Sequence, residues 1–175
     1  IKIPQFQRDF VWNREKSAKL LDSILKGFPI GTFILWKTKE SLRSIRNLGG
    51  AKLPDPPSGD FTNYVLDGQQ RLASLFASVQ GLKIKREERI EDFSELYIDL
   101  KAQDEDPIVT TKNGTPNEVI SVHSLLNSDL STLSRYPKDF HNRLDRYKRS
   151  IQSYSFSTVI VKDVPIDVAT EIFTR

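Results

Sequence analysis

Apolar residues at Leu21, Ile24, Leu25 and Phe28 recur at i, i+3, i+4 and i+7. That spacing predicts an amphipathic helix over residues 14–26, with Asn13 as its N-cap and Gly27 as its stop. Ahead of it, IKIPQFQRDFVW opens extended: Ile1 and Ile3 share a face with Gln5, and Pro4 disfavours helix at Ile3. After Pro29, the continuous apolar run Thr32-Phe33-Ile34-Leu35-Trp36 predicts a strand covered on both faces and central in a sheet. Tyr64-Val65-Leu66 predicts a second buried strand. It runs without spare residues into a helix over 69–80, whose stripe is Leu72, Leu75, Phe76 and Val79 and whose stop is Gly81.

Between those strands, residues 37–62 carry Lys37, Lys39, Arg43, Arg46 and Lys52 and end in LPDPPSGD, which reads as a long, basic, irregular insert. Beyond Gly81 the charge run KIKREERIED reads as a solvated face, and Leu96, Ile98 and Leu100 alternate with Tyr97 and Asp99 as in a half-buried strand. Asn113-Gly114, between Ile108-Val109 and Val119-Ile120, signals a two-residue hairpin. Phe140, Leu144, Tyr147 and Ile151 mark a helix near 138–153, and a last strand is expected over 156–161. Strands alternating with helices predict an α/β fold.

A chain of 175 residues, 38% hydrophobic with ten phenylalanines, is long enough for one real core, and one domain is expected over 1–175. The periodic run Val168, Ile172, Phe173 reaches Arg175 without a stop signal, so the chain reads as truncated at its C-terminus. The absence of cysteine excludes disulfides, thiolate metal sites and thiol redox chemistry, and suits the cytoplasm. No apolar run approaches bilayer length, and no membrane association is expected. A net charge of +3 leans toward anionic partners without choosing one.

The chemistry concentrates in Asp67-Gly68-Gln69-Gln70-Arg71, where the second strand meets its helix. Two readings stand. Asp67 with Gln70 three residues on has the spacing of a capping box, a purely structural device. Alternatively, Gly68 removes a Cβ where helix N-terminal amides point outward, so an anion can approach them, and Arg71 one turn in adds a bidentate phosphate contact. A second polar cluster, Gln5, Gln7 and Arg8 among Pro4, Phe6, Phe10 and Trp12, is either exposed edge polarity or a base-stacking surface. There is no G-x-x-x-x-G-K-[ST], G-x-G-x-x-G or H-E-x-x-H motif, and His123 and His141 are too isolated for a metal pair.

The order IPQFQRDFVW, LLDSILKGFPIGTFILW, YVLDGQQRLASL resembles the N-terminal domain of GmrSD-type modification-dependent (type IV) restriction proteins, a family marked by its DGQQR motif. The resemblance is specific over residues 1–81, the motif-bearing core. Residues 82–175 match in outline, as a family-specific extension. The family is similar to the ParB/sulfiredoxin-like superfamily, which implies a mixed sheet with flanking helices around a nucleotide. Sulfiredoxin chemistry needs a cysteine in the turn, where this chain has Gln70 and its neighbours, so sulfinic acid reduction is excluded.

The resemblance further implies a cleft shared by Gln7, Arg8, Asp67, Gln69, Gln70 and Arg71. Arg8, Gly68, Gln69 and Arg71 would bind a nucleoside triphosphate (ATP, GTP or CTP). Gln70 or Gln7 would orient water, and Asp67 would hold Mg²⁺ or simply cap, making Asp67, Gln70 and Gln7 the catalytic candidates. Lys16 and Lys37 read as exposed lysines that could add positive charge. The implied role is an NTP-hydrolysing regulatory domain in anti-phage defence, partnered by an HNH-like nuclease module that lies further on or in another chain, by DNA, and by a second copy in a homo-oligomer. The competing expectation is a DNA-binding or DNA-sensing module, with the basic insert and opening aromatics on nucleic acid and DGQQR structural.

Overall fold

In the computed structural model, the residues described are 1–4, 9–43, 47–48, 51–52, 60–86, 89–103 and 105–174. Helix α1, Arg14–Leu25, begins where Asn13 accepts the Lys16 N–H on its side chain at 3.0 Å, as its spacing predicts. Leu21, Ile24 and Leu25 are buried, whereas Phe28 lies beyond the cap and is exposed. Strand β1, Phe33–Thr38, is central as expected. The insert is not wholly irregular: β2, Asn47–Leu48, and β3, Ala51–Lys52, pair antiparallel within it. Its Pro-rich stretch 53–59 lies outside the described residues.

Strand β4, Thr62–Asp67, runs antiparallel to β1, and α2, Gln69–Gln80, follows after the single residue Gly68. The charge run forms a hairpin of β5, Lys83–Lys85, and β6, Ile90–Asp92. Within it Glu91 is buried and ion-paired with Arg14 and Arg89, so that run is only partly a solvated face. A 3-10 turn at Phe93–Glu95 leads into β7, Tyr97–Asp99.

Strands β8, Val109–Thr110, and β9, Val119–Ser121, flank β7 in the order β8-β7-β9. The hairpin expected at Asn113-Gly114 is therefore absent. Tyr97 sits between Thr110 and Ser121, and the loop must span a strand's width rather than make a tight turn. Short helices α3, Val122–Asn127, and α4, Leu130–Leu133, precede α5, Lys138–Gln152. Strand β10, Thr158–Lys162, then adds parallel to β1, and α6, Ile166–Thr174, follows it.

The central sheet has the order β10-β1-β4, and Lys2 bridges the outer side of β4 through its amide to the Asn63 carbonyl and its carbonyl to the Val65 amide. This is the mixed sheet with flanking helices of an α/β fold. Trp36, Tyr64 and Leu66 pack against Ala169 of α6, and Leu35 and Val65 pack with Ile3 and Leu72 on the other face. The largest core joins α1, α2 and α5 to the β7 sheet.

Helix α2 buries a face that its apolar stripe does not forecast. Ser74 and Ser78 are fully buried with Ala73 and Ala77, and the Ser74 and Ser17 hydroxyls meet at 2.7 Å between α1 and α2. Small side chains let the two helices approach, and their hydroxyls are satisfied there. Among the described residues no helix is long and apolar enough to cross a membrane.

Candidate functional site

The junction of β4 and α2 begins with a bulge. Ile34 pairs with Asp67 but Leu35 pairs with Val65, so β4 holds one extra residue immediately before the turn. A bulge bends the strand and re-aims the next side chain. Asp67 is thereby turned outward, with its side chain 65% exposed.

Gly68, not Asp67, is the N-cap of α2, and it adopts φ 94°, ψ 5°. The capping-box reading of Asp67 and Gln70 is therefore corrected: the cap residue has no side chain, and both supposed partners are used elsewhere. Left-handed backbone alone favours glycine at this position. The packing adds a second reason, because a Cβ on Gly68 would lie 2.5 Å from Cδ1 of Phe33.

Arg71 sits one turn into α2 with its side chain 17% exposed. Its Nη1 donates to the Ile30 carbonyl at 2.7 Å, and its Nη2 donates to the Thr32 carbonyl at 2.9 Å and to Asp67 Oδ2 at 3.2 Å. The guanidinium lies 4.8 Å from the centroid of the Phe33 ring. Gly31, at φ 87°, clears its place, since a Cβ there would overlap Nη1 and stand 3.4 Å from Cζ. The GFPIGTF and DGQQR segments thus interlock through two reciprocal pairs, Gly31 with Arg71 and Gly68 with Phe33.

Gln70 is buried and carries a different connection. Its Oε1 accepts the Val11 N–H at 2.9 Å, and its Nε2 donates to the Asp9 carbonyl at 2.9 Å. Arg86 holds the same segment through the Val11 and Trp12 carbonyls and lies over the Phe10 ring. Gln69 is also buried. Gln5, Gln7 and Arg8 lie outside the described residues. Their neighbours on both sides are anchored to the β4–α2 unit: Lys2 to β4, and Asp9 and Val11 to Gln70.

Beside the loop that Arg71 holds is a cavity of about 300 Å³, lined by Gly27, Pro29, Ile30, Gly31, Tyr154 and Ser157 among others. Tyr154 in turn packs edge-on against Phe156, which packs edge-on against Phe33. Gly31, Phe33 and Arg86 are the participants that the sequence did not single out. A glycine directly ahead of the buried strand was the available signal for Gly31, but Arg86 was hidden in a charge run.

Lys37 is not simply solvated: with Lys39 it lies over the exposed Phe61 ring, each 5.0 Å from its centroid. His123 Nδ1 contacts the Val79 carbonyl and His141 Nε2 the Tyr136 carbonyl, so each histidine secures a helix region. Among the described residues, no group of three or more His, Asp or Glu gathers in a way that could hold a metal ion.

Residues 1–175 match the family described as the GmrSD restriction endonuclease, N-terminal domain. The chain is also 30% identical over 135 residues to an uncharacterized protein of Methanocaldococcus jannaschii, an alignment covering 75% of this chain and 23% of that protein. The chain therefore spans about a quarter of that relative's length.

Proposed function

We propose, for a chain that belongs to the GmrSD restriction endonuclease N-terminal domain family, that it is a nucleotide-binding domain regulating a restriction nuclease, with the phosphates held at the start of α2. The observation that carries this reading is the form of that helix end: a left-handed glycine cap with no side-chain acceptor of its own, set after a bulge that turns Asp67 out to solvent. Helix N-terminal amides and the helix dipole favour an anion at such a place.

In this reading Arg71 and Gln70 act chiefly by positioning. Arg71 fixes the Ile30–Thr32 loop and adds positive charge beneath the phosphates, and Gln70 ties the opening segment to the helix end. Gln70 has its amide oxygen and an N–H committed to backbone, so in this reading Gln7 orients water and Arg8 is a further phosphate ligand, as the family resemblance implies. Gly68 and Gln69 contribute through the helix-end backbone. Asp67 is the carboxylate that would hold Mg²⁺, an ion that keeps several waters and needs few protein ligands when phosphates supply the rest. The nucleotide's influence on a nuclease module acting on modified DNA requires different affinities for two conformations.

Calorimetric titration of ATP, GTP and CTP with Mg²⁺ into the protein tests the binding step. Saturable heat with at least one of the three is expected, and silence with all three overturns the reading. A DNA-contacting module is the second reading, favoured by Lys37 and Lys39 clustered on the exposed Phe61 ring. It expects DNA affinity that falls steeply with salt while the nucleotide titrations stay silent.

A further inference from the structure

The cavity of about 300 Å³ beside the Arg71 loop lies between two segments, residues 27–32 and 154–157. These walls are pinned together at both ends. The Tyr154 hydroxyl donates to the Phe28 carbonyl at 2.7 Å, and the Phe33 amide donates to the Ser157 carbonyl at 2.9 Å. Gly27 and Gly31 leave the first wall without side chains at two positions, while Pro29, Ile30 and Tyr154 supply apolar surface. Among the described residues, none of those lining the cavity is charged.

Arg71 sets the direction of the backbone in the first wall. Its guanidinium donates to both the Ile30 and the Thr32 carbonyl. The peptide bonds are trans, so the N–H that shares each of these peptide planes points away from Arg71. One of the two, on Phe33, reaches the Ser157 carbonyl. The other, on Gly31, also leads away from the guanidinium and has no protein acceptor among the described residues. The hydroxyls of Thr32, Ser155 and Ser157 are likewise unengaged among those residues.

We infer that this cavity holds the base and ribose of the nucleotide, an inference that rests on the proposal that phosphates bind at the start of α2. Size and charge separate the two ends of such a ligand. A volume of about 300 Å³ is at the low end for small-molecule sites, suited to part of a nucleotide rather than all of it. The uncharged lining offers phosphates nothing, so they stay outside, at the helix end. A base is flat and apolar on its faces and carries acceptors on its edge. Pro29, Ile30 and the Tyr154 ring match the faces, the Gly31 N–H matches the edge, and the unengaged hydroxyls suit a ribose. Arg71 joins the two halves, because the guanidinium placed beneath the phosphates also turns the Gly31 N–H outward.

The test compares three probes by calorimetry and backbone amide resonances: ATP, GTP or CTP with Mg²⁺, inorganic tripolyphosphate with Mg²⁺, and the matching nucleoside alone. One nucleotide should bind at least about tenfold more tightly than tripolyphosphate, since its base buries additional apolar area. Its nucleoside alone should shift the Gly31 and Ser155 amides. Ser155→Trp fills the cavity from an exposed position. It should abolish the nucleotide's advantage while tripolyphosphate binding and circular dichroism stay unchanged, and Ser157→Leu should act in the same direction. Equal binding of nucleotides and tripolyphosphate overturns the base and ribose site and leaves the phosphate proposal standing. So does an advantage that survives both substitutions in folded variants. Nucleoside shifts at Gly31 and Ser155 without any tripolyphosphate binding uphold the cavity and overturn the phosphate placement. Silence from every probe overturns both.

Discussion

The guanidinium of Arg71 fills the space that a side chain on Gly31 would need, and the two are held in that relation by hydrogen bonds to the carbonyls on either side of Gly31. The arginine that reads in sequence as a phosphate ligand is thus also the clamp on the loop leading into β1.

Replacing Gly31 by Ala should destabilise the protein by about 1–3 kcal/mol, combining the left-handed φ with displacement of the guanidinium. In an Arg71→Ala background the steric part disappears and the backbone part remains. Urea denaturation of the four proteins should therefore give a coupling of about 0.5–3 kcal/mol between the two sites. Additive effects would show that the loop accommodates the Cβ without moving Arg71.

Gly68→Ala should cost at least a comparable amount, about 1–3 kcal/mol from the backbone alone, since the new Cβ meets the Phe33 ring at 2.5 Å. Trimming the ring with Phe33→Leu should recover part of the loss in thermal unfolding. No recovery would mean that the φ of 94° is the whole constraint.

Gln70→Ala leaves the Val11 N–H and the Asp9 carbonyl without their partner and should cost about 1–3 kcal/mol. Hydrogen exchange localises the effect: Val11 should lose protection well before the amides of β4. Equal loss throughout would indicate that Gln70 supports the whole core rather than the opening segment.

How much of this was legible follows from distance along the chain. Helices α1 and α2 and strands β1 and β4 announce themselves by local periodicity and by Asn13 and Gly81. The role of Gln70 does not, because its partners are backbone groups 59 and 61 residues away. Asp67 misleads for a related reason: its spacing from Gln70 fits a cap, but the bulge in β4 moves the cap to Gly68. The hairpin at Asn113-Gly114 fails because a turn signal cannot report that β7 lies between the strands it would join.

Acid should weaken the fold through three carboxylates. Burial raises the Asp92 pKa, but the hydrogen bonds and charge of Lys83 and the bonds from Ser94 outweigh it, leaving it below the usual 3.8. The Lys101 ammonium lowers Glu118 below its usual 4.5, and bonds from Thr132 lower Asp129. A carboxylate depressed in the folded state contributes stability above its unfolded pKa and loses it as pH falls through the folded value. Stability should thus decline from about pH 4.5 downward, and Asp92→Asn should flatten that decline. An unchanged acid limb in the variant would remove Asp92 from the account.

The proposal that phosphates bind at the start of α2 is tested most directly by following backbone amide resonances while the nucleotide with the strongest calorimetric response is added with Mg²⁺. The account predicts saturable shifts that are largest at Gly68, Gln69, Gln70 and Arg71, with smaller ones at Gly31 and Thr32. Saturable binding that leaves those amides unmoved and shifts resonances elsewhere would contradict it.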